Sequence, residues 1–157
     1  MEDGLLEEVS ELFKSKGLTL GSAESFTGGS FASLITSLSG ASKFFKGAYV
    51  TYATEEKIKL LGVPEYEVKM HGVVSREIAF YMANNARQLL NTDFCVSFTG
   101  NAGPDAMEGK PVGEVHIGIA FNGTAQIYSL RFEGSRKEIQ DQSMEFALKK
   151  LLQVIKG

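Results

Sequence analysis

Apolar residues along this chain keep two alternating rhythms, one helical and one strand-like. Residues 3–16 place Leu5, Val9, Leu12 and Phe13 on one helical face, and Gly17 stops the pattern. Residues 18–24 form a short strand-like run. Residues 28–38 return to helical spacing through Phe31, Leu34, Ile35 and Leu38, ahead of Gly40. Residues 46–53 are rich in β-formers and predict a second strand. Thr54-Glu55-Glu56-Lys57 has the start chemistry of a helix over 55–61, with Thr54 as its cap; Gly62 ends it and Pro64 follows. Ser75 is placed to cap a longer helix, 76–90, that turns Ile78, Ala79, Met82, Ala86 and Leu89 inward. Residues 93–99 predict a third strand.

Residues 100–113 hold four glycines and two prolines and read as a long loop, the kind that carries function in compact domains. Residues 113–121 alternate strictly. Val115, Ile117, Ile119 and Phe121 share one face; His116, Gly118 and Ala120 share the other, which is small enough for a helix to pack closely. Asn122-Gly123 signals a tight hairpin into a return strand at 125–132. The last helix, 135–156, carries Met144, Leu148, Leu151, Leu152 and Ile155 as its stripe. Helices alternate with strands and an antiparallel hairpin follows. The expectation is a single α/β domain over 1–157: three α/β/α layers around a mixed sheet, part parallel, with a C-terminal antiparallel hairpin. Ligands of such sheets bind beyond the carboxyl ends of the strands.

The chain of 157 residues carries a net charge of −3, so no basic field points to nucleic acid or to a membrane surface. Cys95 is the sole cysteine and lies in an apolar run, which excludes an internal disulfide and fits a reducing compartment. The acidic start, Met1-Glu2-Asp3, is wrong for a signal peptide, and no apolar run reaches membrane-spanning length. The reading is a cytoplasmic protein with a small-molecule partner; a homo-oligomer stays open.

Ser-Phe-Thr-Gly occurs twice, at 25–28 and 97–100, each time at the end of a predicted strand. Two hydroxyl-bearing, glycine-rich turns at one sheet edge can share a polar pocket. In the first copy, Glu24-Ser25-Phe26-Thr27-Gly28-Gly29 puts Ser25 on a sharp bend before a helix, whose N–H groups can hold an oxyanion or phosphate. The plainer alternative makes Ser25 or Thr27 a helix cap and the glycines a means of turning. A nucleophilic serine needs a base. With only His71 and His116 present, and neither placed beside Ser25, Lys57 and Tyr52 become the leading bases. A lysine serves only when burial or neighbouring cations depress its pKa.

These residues resemble the CinA C-terminal domain family, the nicotinamide-nucleotide amidohydrolases. Its Ala-Glu-Ser-x-Thr-Gly-Gly turn is similar to Ala23–Gly29. Its Val-Thr-Tyr-x₄-Lys-x₃-Leu-Gly-Val pattern fits Val50-Thr51-Tyr52, Lys57 and Leu61-Gly62-Val63. Gly72-Val73-Val74-Ser75, Thr99–Pro104 with Lys110–Gly113, and Phe132–Arg136 resemble three further blocks in the same order. The resemblance implies hydrolysis of the carboxamide of nicotinamide mononucleotide to nicotinate mononucleotide and ammonia. Ser25 would be the nucleophile, Tyr52 and Lys57 its activating partners, and Thr99 a neighbour. The substrate-binding set is then Thr27, Gly28 and Gly29 beside the nucleophile, with Gly100, Asn101, Gly103 and Arg136 toward the phosphate. No metal or cofactor is implied. Alternatives are a nucleotide-binding or regulatory domain of weak activity, or an amidohydrolase of another small amide.

The chain departs from the family pattern at Phe26 and Asn101, where Cys and Ile are commoner. It also departs at Asp105–Gly109, which replaces a glycine-rich stretch, and at Gln140, which stands where a second arginine is usual. Asp105 and Glu108 would oppose an anionic substrate unless they point away.

Overall fold

The two rhythms resolve into five strands and six helices in the computed structural model of the protein, which describes residues 1–157. The strands are β1 (Leu20–Glu24), β2 (Phe45–Val50), β3 (Phe94–Gly100), β4 (Glu114–Phe121) and β5 (Thr124–Arg131). The helices are α1 (Leu5–Lys16), α2 (Ser30–Thr36), α3 (Thr54–Leu61), α4 (Glu65–His71), α5 (Arg76–Leu90) and α6 (Arg136–Lys156). The sheet order is β2-β1-β3-β4-β5. β1 pairs in parallel with β2 and β3, while β4 runs antiparallel to β3 and β5. The mixed α/β architecture is thus the expected one. No helix is long and apolar enough to cross a membrane.

Strand alternation sorts the core into two layers. Leu20, Val96, Phe98, Val115, Ile117 and Ile119 face a large apolar cluster with α1, α2 and α6. Ala23 and Cys95 face the other way, onto Ile78, Met82 and Ala86 of α5 and Leu61 of α3. The second layer is tight because its strand residues are small. A Cβ on Gly118 would stand 2.9 Å from Ala79 O and 3.1 Å from Ala83 Cβ of α5. Ser97 sits beside it and donates to Ala79 O at 2.7 Å, so the serine of the second Ser-Phe-Thr-Gly is tied to α5.

Four local expectations shift. The inward stripe of α5 ends on Leu90, which covers Gly21 and Gly47, and Leu89 is 55% exposed. Thr54 is the first residue of α3; extended Ala53 precedes it and no side chain caps the helix. α2 is shorter than 28–38 because Gly28 and Gly29 hold positive φ angles of 59° and 96°. α4 was not legible as a helix. It starts after Pro64, has Glu65 and Glu67 in its first turn and Lys69 and His71 in its last, and buries no residue.

The close packing of β4 on α5 sets a stability prediction. Gly118→Ala forces a methyl against a backbone carbonyl and should lower unfolding stability by about 1–3 kcal/mol, read from the urea midpoint.

Candidate active site

β1 ends in a buried acid. Alternation puts Ser22 and Glu24 on one face of the strand, and both are fully buried. The Glu24 carboxylate accepts hydrogen bonds from Ser22 Oγ (3.0 Å), Thr27 Oγ1 (2.8 Å) and the N–H groups of Gly29 (3.1 Å), Phe31 (3.0 Å) and Ala32 (2.9 Å). Five donors and the positive end of α2 satisfy a charge that burial alone would penalise heavily. Glu24 therefore takes the helix-terminal N–H groups that the sequence offered to a ligand. Neither Ser25 nor Thr27 caps α2. The N–H groups of Phe26 and Thr27 make no hydrogen bond within the protein.

The same residue sets the second element of the site. Thr51 N–H donates to Glu24 O at 3.0 Å as the chain leaves β2. That turn presents the carbonyls of Thr51 and Tyr52 to Lys57 of α3. Lys57 is 1% exposed; its Nζ lies 2.7 Å from Thr51 O, 3.3 Å from Tyr52 O and 2.9 Å from Ser25 Oγ. Burial pulls its pKa down from 10.5 to about 8, against the opposing charges of Glu108 and Glu55. A neutral Lys57 can donate to the two carbonyls and turn its lone pair to the Ser25 hydroxyl. Tyr52 has a different post. Its phenol is exposed and accepts from Arg136 Nη2 at 3.1 Å, and no hydrogen bond joins it to Ser25. Both histidines are engaged elsewhere, His116 with Ser129 and Glu114, and His71 beside Glu67 and Glu77.

Ser25 opens into a cleft of about 150 Å³ lined by Phe26, Tyr52, Gly100, Asn101, Ala102, Met107 and Arg136. Asn101 is buried and folds the loop on itself. Its Oδ1 accepts from Gly103 N–H at 3.2 Å and its Nδ2 donates to Lys110 O at 3.3 Å. Gly100 allows β3 and β4 to meet; a Cβ there would stand 2.7 Å from Val115 Cγ1. Gly103 contributes its carbonyl, which accepts from Arg136 Nη1 at 2.8 Å.

Several expected site residues stand back from the cleft wall, Gly29 among them, its N–H given to Glu24. Thr99 is buried and donates to Val73 O at 2.6 Å, so it fastens the segment before α5. Thr27 is turned to Glu24, and Gly28 supports the bend without lining the cleft. Glu108 does not line the cleft. Its carboxylate accepts from the N–H groups of Val73 (3.0 Å) and Val74 (3.1 Å), while Lys110 of the same loop donates to His71 O at 2.6 Å. Sequence reasoning missed Glu24 and Met107 as parts of the site, and singled out Gln140 only as a departure from the family pattern. An acid inside an apolar strand was the available signal for Glu24, because an unpartnered one is so rarely buried.

Comparison with known proteins gives one family. A family model described as the CinA C-terminal domain matches residues 2–155. A Bacillus pumilus protein named as competence-damage inducible is 39% identical over 99% of this chain, and one from Bacillus subtilis is 40% identical over 98%. The chain spans 37% of the length of each. Among solved structures, a competence-damaged protein (CinA) superfamily protein from Escherichia coli has a TM-score of 0.94 at 29% identity, covering 98% of this chain and 93% of that one. A competence/damage inducible protein from Agrobacterium tumefaciens has a TM-score of 0.89 at 30% identity, covering 100% and 99%.

Glu24→Gln keeps the size of the side chain but turns an N–H₂ group toward hydrogen-bond donors. It should lower unfolding stability by about 3 kcal/mol in urea titrations.

Proposed function

The chain belongs to the CinA C-terminal domain family, and from that membership and the Ser25–Lys57 pair we propose that it hydrolyses the carboxamide of nicotinamide mononucleotide, giving nicotinate mononucleotide and ammonia. The observation that carries the reading is the 2.9 Å hydrogen bond between Lys57 Nζ and Ser25 Oγ at the floor of a cleft. A solvated helix lysine would need neither burial nor a serine partner. This one has both, together with a pKa drawn down to about 8.

The steps balance without any further reactant than water. Ser25 Oγ attacks the amide carbon while neutral Lys57 takes the hydroxyl proton. The oxyanion is held by the unpaired N–H group of Phe26, which lines the cleft beside Ser25. Lys57 returns the proton to the amide nitrogen, the C–N bond breaks and ammonia leaves. Water then attacks the ester, giving its proton to Lys57, and the carboxylate departs as Ser25 is reprotonated. Lys57 rather than Tyr52 fills the role of base, because the Tyr52 phenol is committed to Arg136. Tyr52 and Arg136 instead form one rim of the cleft, suited to the ribose and phosphate side of a nucleotide.

Purified protein incubated with nicotinamide mononucleotide should release ammonia faster than it does from nicotinamide riboside or free nicotinamide, with none above background from Ser25→Ala. Equal turnover of free nicotinamide would remove the nucleotide from the reading, and ammonia from Ser25→Ala would remove the nucleophile.

The pH profile offers a separate check. Protonated Lys57 cannot accept the Ser25 proton, so kcat/KM should climb about tenfold per pH unit below about 8 and level off above it. A flat profile from pH 6 to 9 would exclude Lys57 as the base.

A further inference from the structure

The first turns of α6 reach across the cleft with two side chains. Arg136 and Gln140 are four residues apart, so a single helix face presents both. Arg136 holds the wall opposite Ser25 through Gly103 O. Gln140 holds the turn of the nucleophile itself: its Nε2 donates to Phe26 O at 2.7 Å, across 114 residues of sequence.

That contact acts on a peptide group with little else to steady it. The side chains on either side are anchored, Phe26 with its ring against Phe98 and Thr27 with its hydroxyl on Glu24. Anchored side chains leave the plane between two Cα atoms free to rotate. The Gln140 hydrogen bond is the only one that the Phe26–Thr27 peptide makes. In a trans peptide the carbonyl and the following N–H point in opposite directions, and this peptide is trans. Fixing Phe26 O toward α6 therefore aims Thr27 N–H away from α6, with no acceptor inside the protein.

We propose that Gln140 is a positioning residue for the Ser25 chemistry, holding the Phe26–Thr27 peptide and with it the turn that carries Ser25 Oγ and Phe26 N–H. The proposal rests on Ser25 being the nucleophile, but not on which amide is cleaved. Gln140→Met keeps the length of the side chain and removes the donor. Gln140→Lys restores a donor at similar reach.

A fluorophosphonate probe reads this step whatever the substrate. Ser25 Oγ bonds to phosphorus, the P–F bond breaks, fluoride leaves and the proton passes to Lys57, with the phosphoryl oxygen in the oxyanion position. Gln140→Met should label about tenfold more slowly than the wild type, a fraction of the loss seen when an oxyanion donor is deleted outright. Gln140→Lys should recover most of that rate, and both variants should melt within about 4 °C of the wild type. On nicotinamide mononucleotide the same defect should fall on kcat and leave KM unchanged. Labelling of Gln140→Met at the wild-type rate would overturn the proposal, as would a loss that Gln140→Lys does not restore. A wild type that labels at Ser25 but releases no ammonia ends the substrate reading alone, and the labelling series still decides the role of Gln140. A wild type that does not label at Ser25 overturns both.

Discussion

A carboxylate sealed inside a protein must be given donors, and the way Glu24 obtains them shapes the whole cleft. Its five hydrogen bonds come from its own strand, from the bend and from the first turn of α2. Each donor it needs is a position the chain must occupy, so the bend through Ser25 has little freedom left. Its backbone carbonyl meanwhile fixes Thr51, and with it the turn that carries two of Lys57's three acceptors. Ser25 and Lys57 are thus set by opposite ends of one residue.

The site holds two buried charges of opposite sign that do not touch. Glu24 is satisfied by neutral donors and Lys57 by neutral acceptors. Had they paired, each would have been locked in its charged form. Keeping them apart lets burial depress Lys57 while Glu24 stays fully coordinated. The acids Glu108 and Glu55 restrain that depression.

Much of the fold was legible in the sequence because its signals are local. Strand alternation at 113–121, the Asn122-Gly123 turn and the Ser75 cap each rest on neighbouring residues, and each matches the structure. Ser25, Lys57, Asn101 and Arg136 were legible as a set and do converge. What stayed hidden depends on distant partners or lacks an apolar signature. α4 buries nothing, so hydrophobic rhythm could not reveal it. The cap of α2 comes from the preceding strand, a place where capping rules do not look. Thr99 reads the same in sequence whether it faces a ligand or Val73 O. Gln140 stands out in sequence only by replacing an arginine, and its partner, Phe26 O, comes to it only in the fold.

The reach of Gln140 has a consequence in time. The contact that steadies the turn after residue 25 joins segments 114 residues apart, and Arg136 meets Tyr52 across 84. Loop closures of that span come late, because the chain entropy they cost is repaid only when much of the molecule is already in place. The two halves of the cleft are therefore assembled by the final helix. Until α6 docks, the Phe26–Thr27 peptide lacks its only hydrogen bond and the rim lacks its arginine. A folding chain passes through its collapsed, half-built states with the cleft still open on its α6 side.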